Sequence, residues 1–200
     1  LVNNMVTELG RFVADAQRKA SEEKQRLEQL VAERTTELER LATTDVLTGA
    51  LNRRRVFELA EAELARAARY RHPICLAMLD LDHFKSINDR FGHAVGDEAL
   101  RAVADVVRGQ LRTVDLLGRY GGEELMIALP ETAREAATVA LERIRNAIAA
   151  IRLSQAAATV NVSCGLIEVR GGESLEDGLR RADAALYEAK RAGRNRLVVG

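Results

Sequence analysis

Residues 115–129 read DLLGRYGGEELMIAL, and the two glycines set between short apolar runs decide the fold. Gly121 and Gly122 predict a tight hairpin with positive φ at both turn residues, joining a strand over Asp115–Tyr120 to one over Glu124–Leu129. Upstream, Ile74–Leu81 is a nearly continuous apolar run that ends in a turn, which reads as a buried strand. Phe84–Arg90 reads as a turn and Glu98–Leu111 as a helix. Further back, Asn52 can cap a helix running through Val56, Ala60, Leu64 and Ala67 that stops before Pro73, because the residue preceding proline is pushed out of helical geometry. Downstream, Thr132–Ile151 reads as a helix with Ala136, Val139, Ala140, Ile144 and Ile148 inward. Thr159–Val169 follows as a strand, Leu175–Arg191 as a helix and Arg196–Val199 as a last strand. The order strand, helix, strand, strand, helix, strand, helix, strand predicts an α/β fold of the α+β kind. It is a split βαβ, ferredoxin-like βαββαβ arrangement with extra elements, its central, mostly antiparallel sheet flanked by helices.

The first 44 residues follow a different rule. They hold no proline, are dense in charge, and space their apolar residues in steps of four and three: Val2, Val6, Leu9, Val13, Ala16, Ala20, then Leu27, Leu30 and Leu41. A paired helix needs such a heptad seam and a lone one does not, so residues 1–44 are expected to form a dimerising coiled coil ahead of a second domain over 45–200. Glu23, Arg34 and Glu37 fall on the seam and weaken it. A second register, Leu27, Val31, Arg34, Leu38 and Leu41, fits the same stretch; it is either a switch or an ordinary stutter in a static helix.

Thirty basic residues cancel thirty acidic ones in the 200-residue chain, which argues against a nucleic-acid polymer as partner and leaves any anion site to be built locally. Cys75 and Cys164 lie in apolar stretches at no metal or redox spacing and are read as reduced core residues of a cytoplasmic protein. No run approaches the roughly 18 apolar residues of a membrane span, so no membrane contact is expected. The opening at Leu1 lacks a signal-peptide profile, and without a methionine the chain reads as a piece of something longer, with a sensor domain expected upstream.

Asp80 and Asp82 fall at the carboxyl end of the first strand, where open sheets present ligands, and Glu123 and Glu124 leave the glycine turn. Taken singly, such acidic pairs are ordinary solvated charges. If the strands are neighbours, Asp80 and a glutamate converge on a few hard oxygen ligands with places left for phosphate oxygens, a set suited to Mg2+ or Mn2+.

The runs Asp45–Arg54, Asp80–Lys85, Ile87–His93, Gly96–Asp97, Arg119–Glu124, Arg181–Asp183, Tyr187–Lys190 and Gly193–Asn195 together resemble the GGDEF family of diguanylate cyclases over nearly everything after residue 44. The resemblance implies condensation of two GTP molecules into cyclic di-GMP. It implies metal ligation by Asp80, Glu123 and the main-chain carbonyl of Leu81, with Glu123 as proton acceptor and Glu124 beside it. Lys85 and the amides of its turn at Phe84, with Lys190 and Arg194, would hold the terminal phosphates, although the last two also read as solvated helix-end charges. Asn88 and Asp97 would read guanine, with His93 lining the same pocket or packing beside it. Gly121 and Gly122 would let the nucleotide lie close to the backbone.

Each domain of the family holds one GTP, so the resemblance also implies a homodimer of facing half-sites, supplied by the coiled coil. Arg112 and Asp115, an Arg-x-x-Asp pair ahead of Gly121, have the spacing of the family's inhibitory product site, and Arg143 resembles its secondary arginine; a local ion pair at a helix end is the plainer alternative. The family signature carries phenylalanine where this chain has Leu125, which alternation directs into the core. A competing expectation is a silent cyclic di-GMP receptor or a dimeric relay, against which the retained acids argue.

Overall fold

Asn52 starts the ordered packing as its position suggested: its side-chain oxygen accepts the Arg55 N–H at 3.0 Å and caps helix α2, Arg53–Tyr70, which closes with Arg71 in the left-handed region. The computed structural model describes residues 2–154 and 158–200, excluding the side chains of residues 2–17, 20, 36, 37, 39 and 40. It divides into a helical unit reaching Ala42 and a unit over Thr43–Gly200. Helix α1, Val2–Thr43, leaves Leu27, Leu30, Val31, Leu38 and Leu41 exposed. The seam positions Val2, Val6, Leu9, Val13, Ala16, Ala20 and Glu37 lie outside the described side chains.

The second unit is a five-stranded sheet. Strand β1 is Ile74–Leu81, buried throughout; β2 is Leu116–Arg119, β3 Glu124–Pro130, β4 Val162–Glu168 and β5 Leu197–Val199. The strand order is β2-β3-β1-β4-β5, antiparallel except for the parallel pair of β4 and β5. The first four strands in that order form the split βαβ arrangement, with β5 added at its edge.

Alternation along β1 sorts the core into two layers. Cys75, Ala77, Leu79 and Leu81 pack with α4, His93–Gln110, and α5, Arg134–Ala149. Leu76 and Met78 face α2 and α6, Leu175–Arg191. Both cysteines are free and buried, and burial pushes the Cys75 thiol up to about 12 and raises that of Cys164 as well. Leu125 is buried in the first layer, where a leucine fills the position of the family's phenylalanine. Among the described residues no helix is long and apolar enough to cross a membrane.

Four expectations need correcting. Phe84–Arg90 is a helix, α3 (Phe84–Phe91), because Phe84, Ile87 and Phe91 repeat at helical spacing and pack on the first core layer. Helix α4 begins at His93 rather than Glu98, directly after Gly92 at φ 85°. In α5 the buried face is Ala137, Leu141, Ile144 and Ile148; Val139 is 69% exposed and Ala136 is exposed, since the period counted back from Ile148 lands one residue away from those expected. Finally, Gly121 and Gly122 are absent from the glycines with positive φ, which are Gly49, Gly92, Gly172 and Gly193. The loop is three residues, not two, because both the Tyr120 and Gly121 N–H groups donate to the Glu124 carbonyl, at 2.9 and 3.4 Å.

Candidate active site

Three elements meet at the carboxyl end of β1. Register places Asp80 opposite Glu124 on β3 and opposite Ser163 on β4, and the Leu81 N–H donates to the Glu123 carbonyl at 3.3 Å. The expected convergence of Asp80 with a glutamate is therefore built into the strand pairing. Asp80 is only 7% exposed, and Lys190, near the end of α6, places its ammonium 2.7 Å from Asp80 Oδ2. Burial raises the pKa of Asp80; Lys190 opposes that rise, while Glu123 and Asp82 add to it. Glu124 is likewise raised, first by burial and next by Asp80, with Lys190 opposing and Asp183 and Glu123 adding. Both acids, Asp80 buried and Glu124 partly buried, are thus disfavoured as carboxylates, and a nearby cation would offset that cost.

One lysine already occupies the place of that cation, which is the observation that tests whether a metal suits the site. Among the described residues no three carboxylate, imidazole or thiol groups converge to hold an ion by themselves. A hard cation taken up through one or two carboxylates, with phosphate oxygens completing its shell, fits such a donor set.

The loop between β1 and α3 supplies the anion side. His83 sits in the left-handed region at φ 57° and turns the chain so that α3 begins at Phe84, with exposed Lys85 in its first turn. First-turn amides lack intrahelical acceptors and, with the helix dipole, suit an anion. Arg194 lies on the turn after α6 at φ 62°, and its side chain has no partner among the described residues. The structure thus brings Lys190 to Asp80 itself, and places Lys85 in the first turn of α3 and Arg194 on the turn after α6.

Asn88 on α3 and Asp97 on α4 are drawn together by a glycine to which the sequence reading gave no role. A Cβ on Gly96 would lie 2.0 Å from Asn88 Oδ1 and 3.3 Å from Phe84 Cε2, so a larger residue there would displace the Asn88 side chain from its present place. Asp97 is half-buried and its carboxylate is 4.0 Å from the Arg101 guanidinium, while His93 opens α4 on the exposed side. A Cβ on Gly121 would meet Glu124 Oε2 at 2.6 Å, whereas one on Gly122 would meet nothing, so no protein atom requires glycine at position 122.

The signature turn is held by a residue whose role was also missed. Arg119 donates through Nε and Nη2 to the Gly121 and Gly122 carbonyls at 2.7–3.2 Å, and through Nη1 to both oxygens of Asp45 at 3.1 Å. Burial raises the Asp45 pKa, but hydrogen bonds from the Thr48 hydroxyl and N–H and the Arg119 charge outweigh it and leave the group below its ordinary value. Residues 43–52 fold back to make this contact: Leu51 bonds to Leu117 and Arg119 along the free edge of β2. The only signal in the sequence was the presence of Asp45 and Arg119 in two separate matching runs.

Away from this site, Asp115 Oδ2 accepts the Arg112 N–H at 2.7 Å, and no ion pair joins the two side chains. Asp115 Oδ1 is buried without a hydrogen-bond partner. Arg143 on α5 donates to the Gln110 carbonyl at 3.0 Å, at the end of α4 that leads into this turn.

A buried aspartate beside a partly buried glutamate on the neighbouring strand, paired with a lysine and followed by a helix start, is a donor set that a cation carried on phosphate oxygens would suit. The family described as diguanylate cyclase, GGDEF domain, matches residues 42–196, and the chain belongs to it. Diguanylate cyclase DgcP of Pseudomonas aeruginosa is 46% identical over 160 residues, 79% of this chain and 24% of that protein. Response regulator PleD of Caulobacter vibrioides is 39% identical over 163 residues, 79% of this chain and 36% of that protein. The chain spans less than half the length of these curated relatives. Among solved structures, the coiled coil and GGDEF domain of DgcB from Caulobacter crescentus, in complex with c-di-GMP, superposes with a TM-score of 0.83 at 34% identity over 92% of this chain and 98% of that one. The active GGEEF domain of a diguanylate cyclase from Vibrio cholerae gives 0.71 at 38% identity over 74% and 96%.

Proposed function

We propose that this chain condenses two GTP molecules into cyclic di-GMP and two pyrophosphates, as a homodimer in which each domain presents one GTP. The observation that carries this reading is Asp80, buried opposite Glu124 in register and paired with Lys190 at the edge of the signature turn. Lys85, Lys190, Arg194 and the first amides of α3 bind the β- and γ-phosphates through charge-assisted hydrogen bonds. Asn88 and Asp97 bind the guanine edge, the carboxylate accepting from N1 and the exocyclic amine. Glu123 accepts the proton of the 3′-hydroxyl as its oxygen attacks the partner's α-phosphorus and pyrophosphate departs; a second, equivalent transfer closes the ring. Asp80, Glu123 and the Leu81 carbonyl would hold Mg2+ or Mn2+, which polarises the α-phosphate and neutralises the leaving group when bound.

Two further features support the regulated dimer. Five large apolar side chains of α1 lie uncovered along Leu27–Leu41, as a helix awaiting a partner would leave them. Arg112 and Arg143, close by in the fold, suit a phosphate or the guanine edge of the product, so feedback inhibition belongs to the reading.

Incubation with GTP and magnesium, followed by chromatographic separation of nucleotides, tests it with Glu123→Gln alongside. Cyclic di-GMP is expected from the parent, and a rate lower by about a hundredfold or more from the variant. No product from either, with cyclic di-GMP still bound, would replace the enzyme with a receptor.

A further inference from the structure

Asp82 lies two residues beyond Asp80, yet its surroundings are of another kind. It is 6% exposed, and both of its oxygens are taken within the protein. Oδ1 accepts the Ser163 hydroxyl at 2.7 Å and Oδ2 accepts the Asn195 N–H at 2.9 Å, while its own N–H donates to the Asn161 carbonyl at 2.9 Å. A carboxylate committed in this way is not free to take a cation.

What it holds is the turn after α6. Gly193, Arg194 and Asn195 have φ of 112°, 62° and 45°, three successive residues in a region that side chains disfavour. Two L-residues persist there only where their surroundings over-determine the conformation. The Arg194 N–H donates to the Ala189 carbonyl at 3.0 Å, and the Arg194 carbonyl accepts from Arg196 Nε at 3.1 Å. Arg145 on α5, itself gripped by Glu142, donates to Asn195 Oδ1 at 3.0 Å. Of these anchors Asp82 is the buried charged side chain, on the loop leaving β1.

We propose that Asp82 is a positioning residue for nucleotide binding: it fixes the left-handed Gly193–Asn195 turn and thereby aims Arg194 at the terminal phosphates. Asp80 and Asp82 then divide the two cations beside α6 between them, one pairing the Lys190 side chain directly and the other locking the backbone next to Arg194. The inference rests on the cyclase reading and on Arg194 as a phosphate ligand.

The test is a double-mutant cycle in the full chain, reading KM for GTP, kcat and the thermal midpoint for Asp82→Ala, Arg194→Ala and the pair. Each single variant is expected to raise KM by about tenfold, and the pair by little more than Arg194→Ala alone, because the two act through one contact. Asn195→Gly in the Asp82→Ala background is expected to recover part of the loss, since glycine adopts the left-handed region without a hold. Asp82→Asn, whose amide oxygen can still accept the Asn195 N–H, is expected to keep a KM near the parent's and carries the comparison if Asp82→Ala does not fold. KM effects that multiply in the pair, or an Asp82→Asn that behaves as Arg194→Ala does, would overturn the inference. An Arg194→Ala with unchanged KM and continued product formation would overturn it too, while leaving the cyclase reading in place; absence of cyclic di-GMP from the parent is the separate failure of that reading.

Discussion

Glu124 shows how a single residue couples the site to stability. Its ordinary value is 4.5, and in the folded chain burial, Asp80, Asp183 and Glu123 raise it. The folded protein therefore holds the proton more tightly than the unfolded chain. As pH climbs from below 4.5 through the raised value, stability is lost, and above that window the loss is complete. Glu124→Gln removes the ionisation. Without divalent cation the variant is expected to melt above the parent at pH 7.5, with the gap closing as pH falls toward 4.5; thermal unfolding across that range checks it. An unchanged gap at low pH would mean that packing, not charge, separates the two. The meeting of Asp80 with a glutamate was legible in the sequence, because strand alternation and neighbouring strands suffice to bring them together. Lys190 on Asp80 was not, since no local pattern tells where the last turn of a helix lands on a distant strand; only the family resemblance brought Lys190 to the site at all.

Among elements, the signature turn depends on a partner from the other end of the domain. Arg119 ties the Gly121 and Gly122 carbonyls to Asp45, and residues 43–52 run beside β2 to make that possible. Arg119→Ala leaves Asp45 without its cation and the two carbonyls without their donor, and is expected to cost about 2–3 kcal/mol in denaturant unfolding. The cost of adding Asp45→Ala should be smaller than that of Asp45→Ala in the parent, because the two residues share one interaction. This tie also explains the misread turn. Gly-Gly between apolar runs suggests a two-residue turn with positive φ when read locally, but one guanidinium gathering successive carbonyls selects a three-residue loop. Local rules worked where contacts were local, as in the Asn52 cap and the unbroken apolar run of β1. They failed at α3, where eight residues with five polar or charged side chains read as a turn until Ile87 is seen against the core.

At the scale of the whole molecule, α1 and the domain are separate units joined where α1 ends at Thr43, two residues before Asp45. The exposed Leu27, Leu30, Val31, Leu38 and Leu41 are the side chains through which the proposed dimer would pair. Leu30→Asp is expected to weaken dimerisation by about tenfold or more, seen by light scattering, and to make specific activity rise with enzyme concentration. A dimer of unaltered affinity would move the seam to the Val31 register. The chain as a whole is neutral, thirty charges against thirty, whereas its site holds an excess of acid, with Lys190 standing as a tethered counter-ion on Asp80. A metal binding Asp80 alone would compete with that ammonium, whereas one arriving on a triphosphate would bring the ammonium a new anion to grip. On the proposed reading, occupancy would be an exchange of partners rather than the filling of a vacant seat, and would favour cation and nucleotide entering as one body.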